Sequence, residues 1–429
     1  MKVYLDMIGC RLNQSELEVI ARQFAAAGHT LVGDPADADL AVVNTCTVTS
    51  AAAADSRKTI RRIARSGSAR IVSTGCWSEL VPEQALKLPG VTAVVPNQEK
   101  DRLVAELLSL NEDQIDLEPL QRVAIPGARE RTRAFIKAQD GCRHRCAFCI
   151  TTVARGDSRS QPLETIIREV RAAVRSGAQE IVLTGVQLGS WGKDLDPRAG
   201  LAQLVEGLLK ETEVPRIRLS SIEPWDITSD LIAFLREDRV ARHLHLPLQS
   251  GSAATLRRMA RAINPASYAR LIEEIRSRVP ETAITTDILT GFPGETEEEY
   301  REGLDFIREM GFAGGHVFTY SAREGTPAAD FPDQVPHSVR KSRSAEIRRI
   351  LRLSGEEYRR QFLDRELEVL WEQVDHGDDK SWKGTGLSDN YLKVEADLPV
   401  DLWNQFSRIR VSKLTPGGVI GELVIESTE

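Results

Sequence analysis

Three cysteines, Cys142, Cys146 and Cys149, stand four and then three residues apart, just behind the apolar run Ala134-Phe-Ile-Lys-Ala138. Thiolates are soft ligands, and thiols this closely spaced can converge on one cubane iron–sulfur cluster. A [4Fe-4S] cube held by three cysteines leaves one iron open to a small molecule. Zinc would normally want a fourth protein ligand, and His144 lies too close to both flanking cysteines to close a relaxed tetrahedron. Of the six cysteines in the 429-residue chain, the other three are Cys10, Cys46 and Cys76. In a secreted protein six thiols could form a disulfide framework. Here Met1-Lys-Val-Tyr-Leu-Asp6 runs straight into an acid and lacks the apolar core of a signal peptide. No apolar stretch approaches the ~20 residues that span a bilayer. The expectation is a cytoplasmic protein whose thiols stay reduced and free for metal binding or catalysis.

The elements that position the second set can be read from periodicity. Lys2–Leu5, Leu40–Asn44 and Arg70–Thr74 read as strands in a β-α-β-α-β pattern, and one of the three cysteines follows each. Ser15 is the expected cap of the first helix, with Glu16 and Glu18 in its first turn and Gly28 at its end. The second helix is expected from about Ala51 to Ser66. In an open parallel sheet the C-terminal strand ends line one crevice, so three thiols distant in sequence converge there. No fourth cysteine is available to this set, so a second cluster with an open iron is expected. Arg57, Lys58, Arg61, Arg62 and Arg65 share one face of the second helix, read either as a solvated face or as a contact for nucleic-acid phosphates. The expected boundaries are 1–111 for this domain and 112–132 for a Pro- and Gly-containing linker ending in Arg129, Arg131 and Arg133.

From residue 133 to about 362, apolar runs alternate with amphipathic segments. Strands are expected at 134–138, 180–183, 216–220, 244–247, 283–289 and 316–319, and helices near 163–176, 200–211, 228–239, 253–279 and 296–309. Six such units argue for a partial (β/α)6 barrel with its chemistry at the C-terminal strand ends. Thr296 and Glu299 form a capping box. His243 and His245 are assigned to opposite faces of their strand and read as packing residues rather than metal ligands.

The C-x3-C-x2-C spacing, with Phe148 just before the last cysteine, resembles the signature of the radical S-adenosylmethionine enzymes. The small and polar strand ends resemble the cofactor-binding motifs of those enzymes. The resemblance implies that Cys142, Cys146 and Cys149 hold a cluster whose open iron takes the amino and carboxylate groups of S-adenosylmethionine, with Phe148 beside it. Thr184 and Gly185 would meet the methionine amine and carboxylate, because glycine lets the backbone approach closely. Glu223 or Gln249 would hydrogen-bond the ribose hydroxyls, and Ile288 and Gly291 would form an apolar bed for adenine.

Arg340 to Arg360 carries eight basic against three acidic side chains in a chain of net charge −7. Solvated helix and phosphate contact are both open readings of it. After residue 362, short alternating strands punctuated by glycine suggest a small five-stranded barrel over 363–429. It looks like the TRAM domain of RNA-modifying enzymes. Residues 365–429 hold seven basic and thirteen acidic side chains, so RNA would need a local patch such as Lys393, Arg408, Arg410 and Lys413. Trp382 or Tyr391 would then offer stacking. A lid over the central barrel is the competing reading.

This domain order resembles the methylthiotransferases over nearly the whole chain. Gly9-Cys-Arg-Leu-Asn-Gln-Ser-Glu16, Leu183-Thr-Gly-Val-Gln-Leu-Gly-Ser190, Arg218-Leu-Ser-Ser-Ile-Glu-Pro224 and Pro247-Leu-Gln-Ser-Gly251 look like the branch acting on N6-threonylcarbamoyladenosine at position 37 of tRNA. Ile150-Thr-Thr-Val-Ala-Arg155 departs from it, since Ile-Pro-Tyr is commoner before Ala-Arg. The resemblance implies two [4Fe-4S] clusters, two S-adenosylmethionine molecules and methylthio insertion at carbon 2 of the adenine. It further implies that the cluster on Cys142, Cys146 and Cys149 generates a 5′-deoxyadenosyl radical, and that the cluster on Cys10, Cys46 and Cys76 delivers the methylthio group. Expected partners are the tRNA anticodon loop and an electron donor such as flavodoxin or ferredoxin, with the protein a monomer and no membrane involved. The alternatives are isopentenyladenosine in tRNA or a ribosomal-protein aspartate as target, an electron-transfer iron–sulfur protein, or a non-catalytic iron–sulfur RNA-binding protein.

Overall fold

β-Branched and apolar residues make β1 (Lys2–Met7), β2 (Thr30–Val32), β3 (Leu40–Thr45), β4 (Arg70–Gly75) and β5 (Val91–Val95) into one parallel sheet of order β2-β1-β3-β4-β5. The structure is a computed structural model and describes residues 1–67, 69–110, 125–126, 132–376 and 382–424. The expected linker at 112–132 therefore lies outside the described residues except for 125, 126 and 132. β3 is buried along its whole length, as a central parallel strand must be when helices cover both faces. Those helices include α1 (Arg11–Ala26), α2 (Ser50–Ser66), α3 (Cys76–Leu80), α4 (Pro82–Leu86) and α5 (Leu103–Leu108). Ile20 and Phe24 of α1 pack with Val3, Val42 and Val72 in the core. Burying each such side chain contributes about 1.5–3 kcal/mol.

The start of α1 corrects the expectation. Cys10 is the N-cap, and Ser15 and Glu16 are buried inside the helix rather than capping it or lying in its exposed first turn. Gly9, at φ +113°, turns the chain so sharply out of β1 that the helix starts at once. The edge strands β2 and β5 are short and half-buried, so their pattern is too weak to read without neighbours.

All six expected central strands form: β6 (Arg133–Lys137), β9 (Glu180–Thr184), β10 (Arg216–Leu219), β11 (His243–His245), β12 (Ala283–Thr290) and β13 (Gly314–Thr319). The short pair β7 (Gln139–Asp140) and β8 (Arg159–Ser160) lies beside them. The sheets β6-β9-β10 and β11-β12-β13 are joined by parallel bridges from Ile217 to Val240 and from Ser221 to His245. Six parallel strands thus run side by side as an incomplete barrel wall.

Helices α6 (Thr151–Arg155), α7 (Leu163–Arg175), α8 (Leu201–Glu211), α9 (Ser229–Phe234), α10 (Ala253–Arg258), α11 (Pro265–Arg278), α12 (Glu297–Met310) and α13 (His337–Arg360) complete this part. The helix expected over 253–279 is two helices, broken at Ala260 in left-handed conformation and restarted at Pro265. That expected over 228–239 stops at Phe234. The Thr296–Glu299 capping box forms on α12.

His243 and His245 are also corrected. Residues two apart on a strand share a face, and both rings lie 2.9 Å from the Thr285 hydroxyl.

The C-terminal strands β14 (Glu366–His376), β15 (Trp382–Ser388), β16 (Lys393–Leu398), β17 (Phe406–Leu414) and β18 (Val419–Leu423) close a barrel in the order β14-β15-β16-β18-β17. It docks on β10. Arg218 donates from Nη1 and Nη2 to the Asp389 and Ser388 carbonyls, while Nε and Nη2 grip the buried Glu180. Arg216 binds Glu368 at 2.7 Å. Tyr391 is no free stacking platform: its ring lies flat on His243 at 3.9 Å, and its hydroxyl accepts from Arg11 of α1. Trp382 packs edge-on against His376.

Much of the α13 charge is likewise structural. Arg343 is buried against Glu295, Arg348 donates to the Val317 carbonyl, and Arg340 donates to the Tyr320 carbonyl. In the C-terminal patch Lys393 faces Glu395 and Arg410 binds Glu366.

Candidate functional site

The first three thiols sit where parallel-sheet topology puts them. Cys10 follows β1, Cys46 follows β3, and Cys76 opens α3 directly after β4. They are close enough that the charges of Cys10 and Cys76 act on Cys46, whose thiol burial pushes up to about 11. Backbone permits this approach only because two positions lack side chains. A Cβ on Gly9 would lie 2.6 Å from the Cys46 sulfur, and one on Gly75 would lie 2.3 Å from the Thr45 carbonyl oxygen. Both glycines have positive φ, +113° and +92°.

The second three thiols follow β6 and the pair partner β7. Burial pushes the Cys142 thiol up to about 11, with Cys149 and Cys146 adding to the rise. Cys142 donates to the Gln187 side-chain oxygen at 3.2 Å. Gln187 is positioned in turn by Gln139, whose Oε1 accepts from the Gln187 backbone at 2.8 Å. His144 is not a ligand candidate, since its Nε2 lies 3.1 Å from the Trp225 indole nitrogen.

The donor sets are chemically compatible with iron–sulfur clusters. Each site offers three free thiols, soft donors in the number that a cubane with one open iron takes from protein. Burial raises the pKa of Cys46, Cys76, Cys142 and Cys146, so ligation at these thiols must displace protons.

The two sites are physically joined through Arg155. This residue ends α6, six positions after Cys149, yet its guanidinium is buried in the N-terminal domain. Its Nε donates to Cys76 at 3.3 Å, its Nη1 to Glu16 at 2.8 Å and Asp140 at 3.0 Å, and its Nη2 to Asn13 at 2.7 Å. Lys100 completes the cluster against Glu16 at 2.7 Å. Burial alone would push the Glu16 carboxyl up, but Arg155 and Lys100 hold it well below the usual range. Glu16, Lys100 and Arg155 have no role in the sequence reading. The sequence carries one signal of this, a carboxylate inside the apolar stripe of α1, where it reads as a first-turn acid.

The residues assigned to a small-molecule cofactor divide by environment. Glu223 lies near Cys142 and Cys146. It is clamped by Arg261 at 2.6 and 2.9 Å, and that guanidinium stacks 4.6 Å over Trp225. A carboxylate has about four acceptor positions, so Glu223 keeps capacity for hydroxyls. Thr184 is buried, its carbonyl accepting from Ala138 at 2.9 Å. Gly185 lies against Gln139, where a Cβ would come within 2.9 Å of Oε1. Gln249 has φ +73°, with its backbone paired to Asp287 and Leu289 at 2.8 Å each. Ile288 is buried in the barrel core, and Phe148 meets Phe292 edge-on. Gly291, at φ +69°, is covered by the Arg340 side chain and donates to Glu295 at 2.8 Å. Gln187 falls in the Leu183–Ser190 stretch without an assigned role, and Arg261 carries no sequence signal because a lone arginine in a loop has no characteristic spacing.

On α2, Arg62 is tied to Asp6 at 2.6 Å and Lys58 faces Asp55 at 3.5 Å. Arg61 and Arg65 remain exposed on its outer face. No helix among the described residues is long and apolar enough to cross a membrane.

Two family models match this chain. Residues 136–307 match the Radical SAM superfamily, and residues 2–96 match the uncharacterized protein family UPF0004. The chain is similar to the threonylcarbamoyladenosine tRNA methylthiotransferase MtaB of Bacillus subtilis, at 35% identity over 96% of this chain and 94% of the relative. It is 36% identical to the protein of that name from Thermotoga maritima, over 97% and 96% of the two chains. Among solved structures it resembles the radical S-adenosylmethionine methyltransferase TsrM of Kitasatospora setae. The TM-score there is 0.58 at 15% identity, over 76% of this chain and 77% of that one, a likeness of fold alone.

Proposed function

Because this chain belongs to the radical S-adenosylmethionine methylthiotransferases, we propose that it inserts a methylthio group at carbon 2 of N6-threonylcarbamoyladenosine at position 37 of tRNA. The observation that carries the reading is a three-thiol site in each of two abutting sheets, joined through Arg155, in a chain collinear with relatives of that name.

In this reading Cys142, Cys146 and Cys149 hold one [4Fe-4S] cluster, and Cys10, Cys46 and Cys76 hold a second. When bound, the clusters and two S-adenosylmethionine molecules supply a 5′-deoxyadenosyl radical and the methylthio group, chemistry beyond any side chain at an unactivated aryl carbon. Gln187 and Gln139 orient the Cys142 loop, Thr184 and Gly185 would meet the methionine end, and Glu223 or Gln249 would bond the ribose. Phe148, Ile288 and Gly291 border the adenine. Arg155 holds the two sites at fixed separation and places a positive charge against Cys76. Water is kept from this junction by burial of the Glu16–Arg155–Lys100 group. The C-terminal barrel serves as a TRAM-type RNA-binding module, with Arg408 and Lys413 facing solvent. The anticodon loop enters between the sheets, near the exposed Arg61 and Arg65 of α2. A flavodoxin- or ferredoxin-type protein supplies electrons, and the enzyme works as a cytoplasmic monomer.

Nucleoside mass spectrometry of tRNA from a strain lacking the protein is the test. Loss of the 2-methylthio form of threonylcarbamoyladenosine, restored by the wild-type chain, is expected. Unchanged nucleosides with a lost methylthio group on a ribosomal protein would assign the other target.

A further inference from the structure

The loop after β13 is pinned from both sides. Ser321 bonds Ser50, in the segment after Cys46, at 2.8 Å, and Ala328 donates to the Ala147 carbonyl inside the second cysteine loop at 2.9 Å. Between these anchors the chain makes a tight turn. The Arg323 carbonyl accepts from the Thr326 hydroxyl at 2.7 Å and from its backbone at 3.0 Å. Gly325 follows in left-handed conformation at φ +85°, beside Ile150. Arg323 is therefore held on a rigid turn spanning the two thiol sites.

Its guanidinium lies within electrostatic range of Cys46. It forms no hydrogen bond or ion pair with any described residue, and its Nη2 is buried without a partner. A buried guanidinium nitrogen left unbonded is costly, and the other interdomain arginines here are paired with carboxylates or carbonyls. An anionic acceptor is what this nitrogen lacks.

Resting on the function proposed above, the substrate supplies one. A threonylcarbamoyl group on N6 ends in a free carboxylate, which an adenine or a dimethylallyl-adenine lacks. N6 and carbon 2 flank N1 on the same edge of the base. When carbon 2 faces the Cys10, Cys46 and Cys76 site, the N6 substituent extends over the same rim. We propose that Arg323 is a substrate-recognition residue whose guanidinium binds the carboxylate of the N6-threonylcarbamoyl group and so selects this nucleoside over uncharged N6 substituents. Arginine suits the task because its planar fork matches a carboxylate bidentately.

The test uses the full-length holoenzyme and three synthetic anticodon stem-loops that differ only at position 37: threonylcarbamoyladenosine, dimethylallyladenosine or adenosine. Fluorescence anisotropy should show the wild type binding the first hairpin about ten- to a hundredfold tighter than the third, as one charged hydrogen-bonded pair allows. Arg323→Met should erase that preference while leaving affinity for the adenosine hairpin unchanged. Arg323→Lys should retain part of it, and covers the case in which the methionine variant folds poorly. Equal weakening of all three hairpins would mean that Arg323 holds a phosphate, and would overturn the proposal. An unchanged preference in the methionine variant would overturn it too. A wild type that methylthiolates dimethylallyladenosine instead would refute the proposed substrate itself, a result distinguishable because the adenosine-relative preference would then be absent before any mutation.

Discussion

The Nε of Arg155 lies 3.3 Å from the sulfur of Cys76, although one belongs to the segment after Cys149 and the other to the N-terminal sheet. A guanidinium delivered by the second thiol site thus touches a thiol of the first, and both ends of the contact are buried. Removing the charge while keeping the bulk, in Arg155→Met, leaves Glu16 with Lys100 alone and Asp140 without its buried partner. Breaking a buried pair this way costs about 3–5 kcal/mol. Denaturant titration should show that loss, and iron retention by the N-terminal site should fall with it. A midpoint within error of wild type would remove Arg155 from its bridging role.

The two thiol sites should fail separately. Anaerobic iron analysis is expected to give about eight irons per chain for two cubanes. Cys76→Ala should lower this to about four, keep reductive cleavage of S-adenosylmethionine to 5′-deoxyadenosine, and abolish methylthio transfer. Cys146→Ala should lose both reactions. Full methylthio transfer by the Cys76 variant would leave the N-terminal thiols without a role.

Gly9 and Gly75 are steric requirements of the first site. Gly75→Ala drives a Cβ to 2.3 Å from the Thr45 carbonyl and Gly9→Ala drives one to 2.6 Å from the Cys46 sulfur, each at positive φ. Backbone strain of this kind costs on the order of 1–3 kcal/mol before any clash is counted. Both variants should melt earlier, and their iron content should drop at the N-terminal site while 5′-deoxyadenosine formation persists.

Docking of the C-terminal barrel should be acid-sensitive through Glu180. Burial pushes its carboxyl up, but Arg218, Arg133 and Arg216 outweigh that and hold it below the usual carboxylate range. A lowered folded pKa contributes stability that is fully present above the unfolded value of about 4.3 and is lost as pH falls through the folded value. Melting curves from pH 7 down to pH 3 should therefore fall more steeply for wild type than for Glu180→Gln, which should already be less stable at pH 7. Parallel curves would show that Glu180 does not carry the acid response.

Tyr391 joins three parts of the molecule. Tyr391→Phe keeps the ring on His243 and removes only the acceptor for Arg11, so a loss of about 1 kcal/mol is expected. Tyr391→Ala removes the stack as well and should raise amide exchange at the start of α1, next to Cys10. Exchange there that is the same in both variants would uncouple the barrel from the first thiol site.

What the amino-acid sequence determined by itself was everything set by local spacing. Cys142, Cys146 and Cys149 stand out as a candidate cluster motif because their spacing is contained in eight consecutive residues. The six central strands, the Thr296 cap and the alternating C-terminal strands are likewise local patterns of period and capping. Even the convergence of Cys10, Cys46 and Cys76 was legible, because parallel topology sends every strand end to one edge. What spacing cannot encode is which charged side chain crosses a domain boundary. Glu16 reads as a helix-start acid, Tyr391 as one of two candidate stacking rings, and Arg343 as one charge of a helix that is either solvated or phosphate-binding. The tertiary structure reassigns them because a buried charge is tolerated only beside an opposite one. The partners, Arg155 and Lys100 for Glu16, Arg11 and His243 for Tyr391, Glu295 for Arg343, stand 48 or more residues away in the chain.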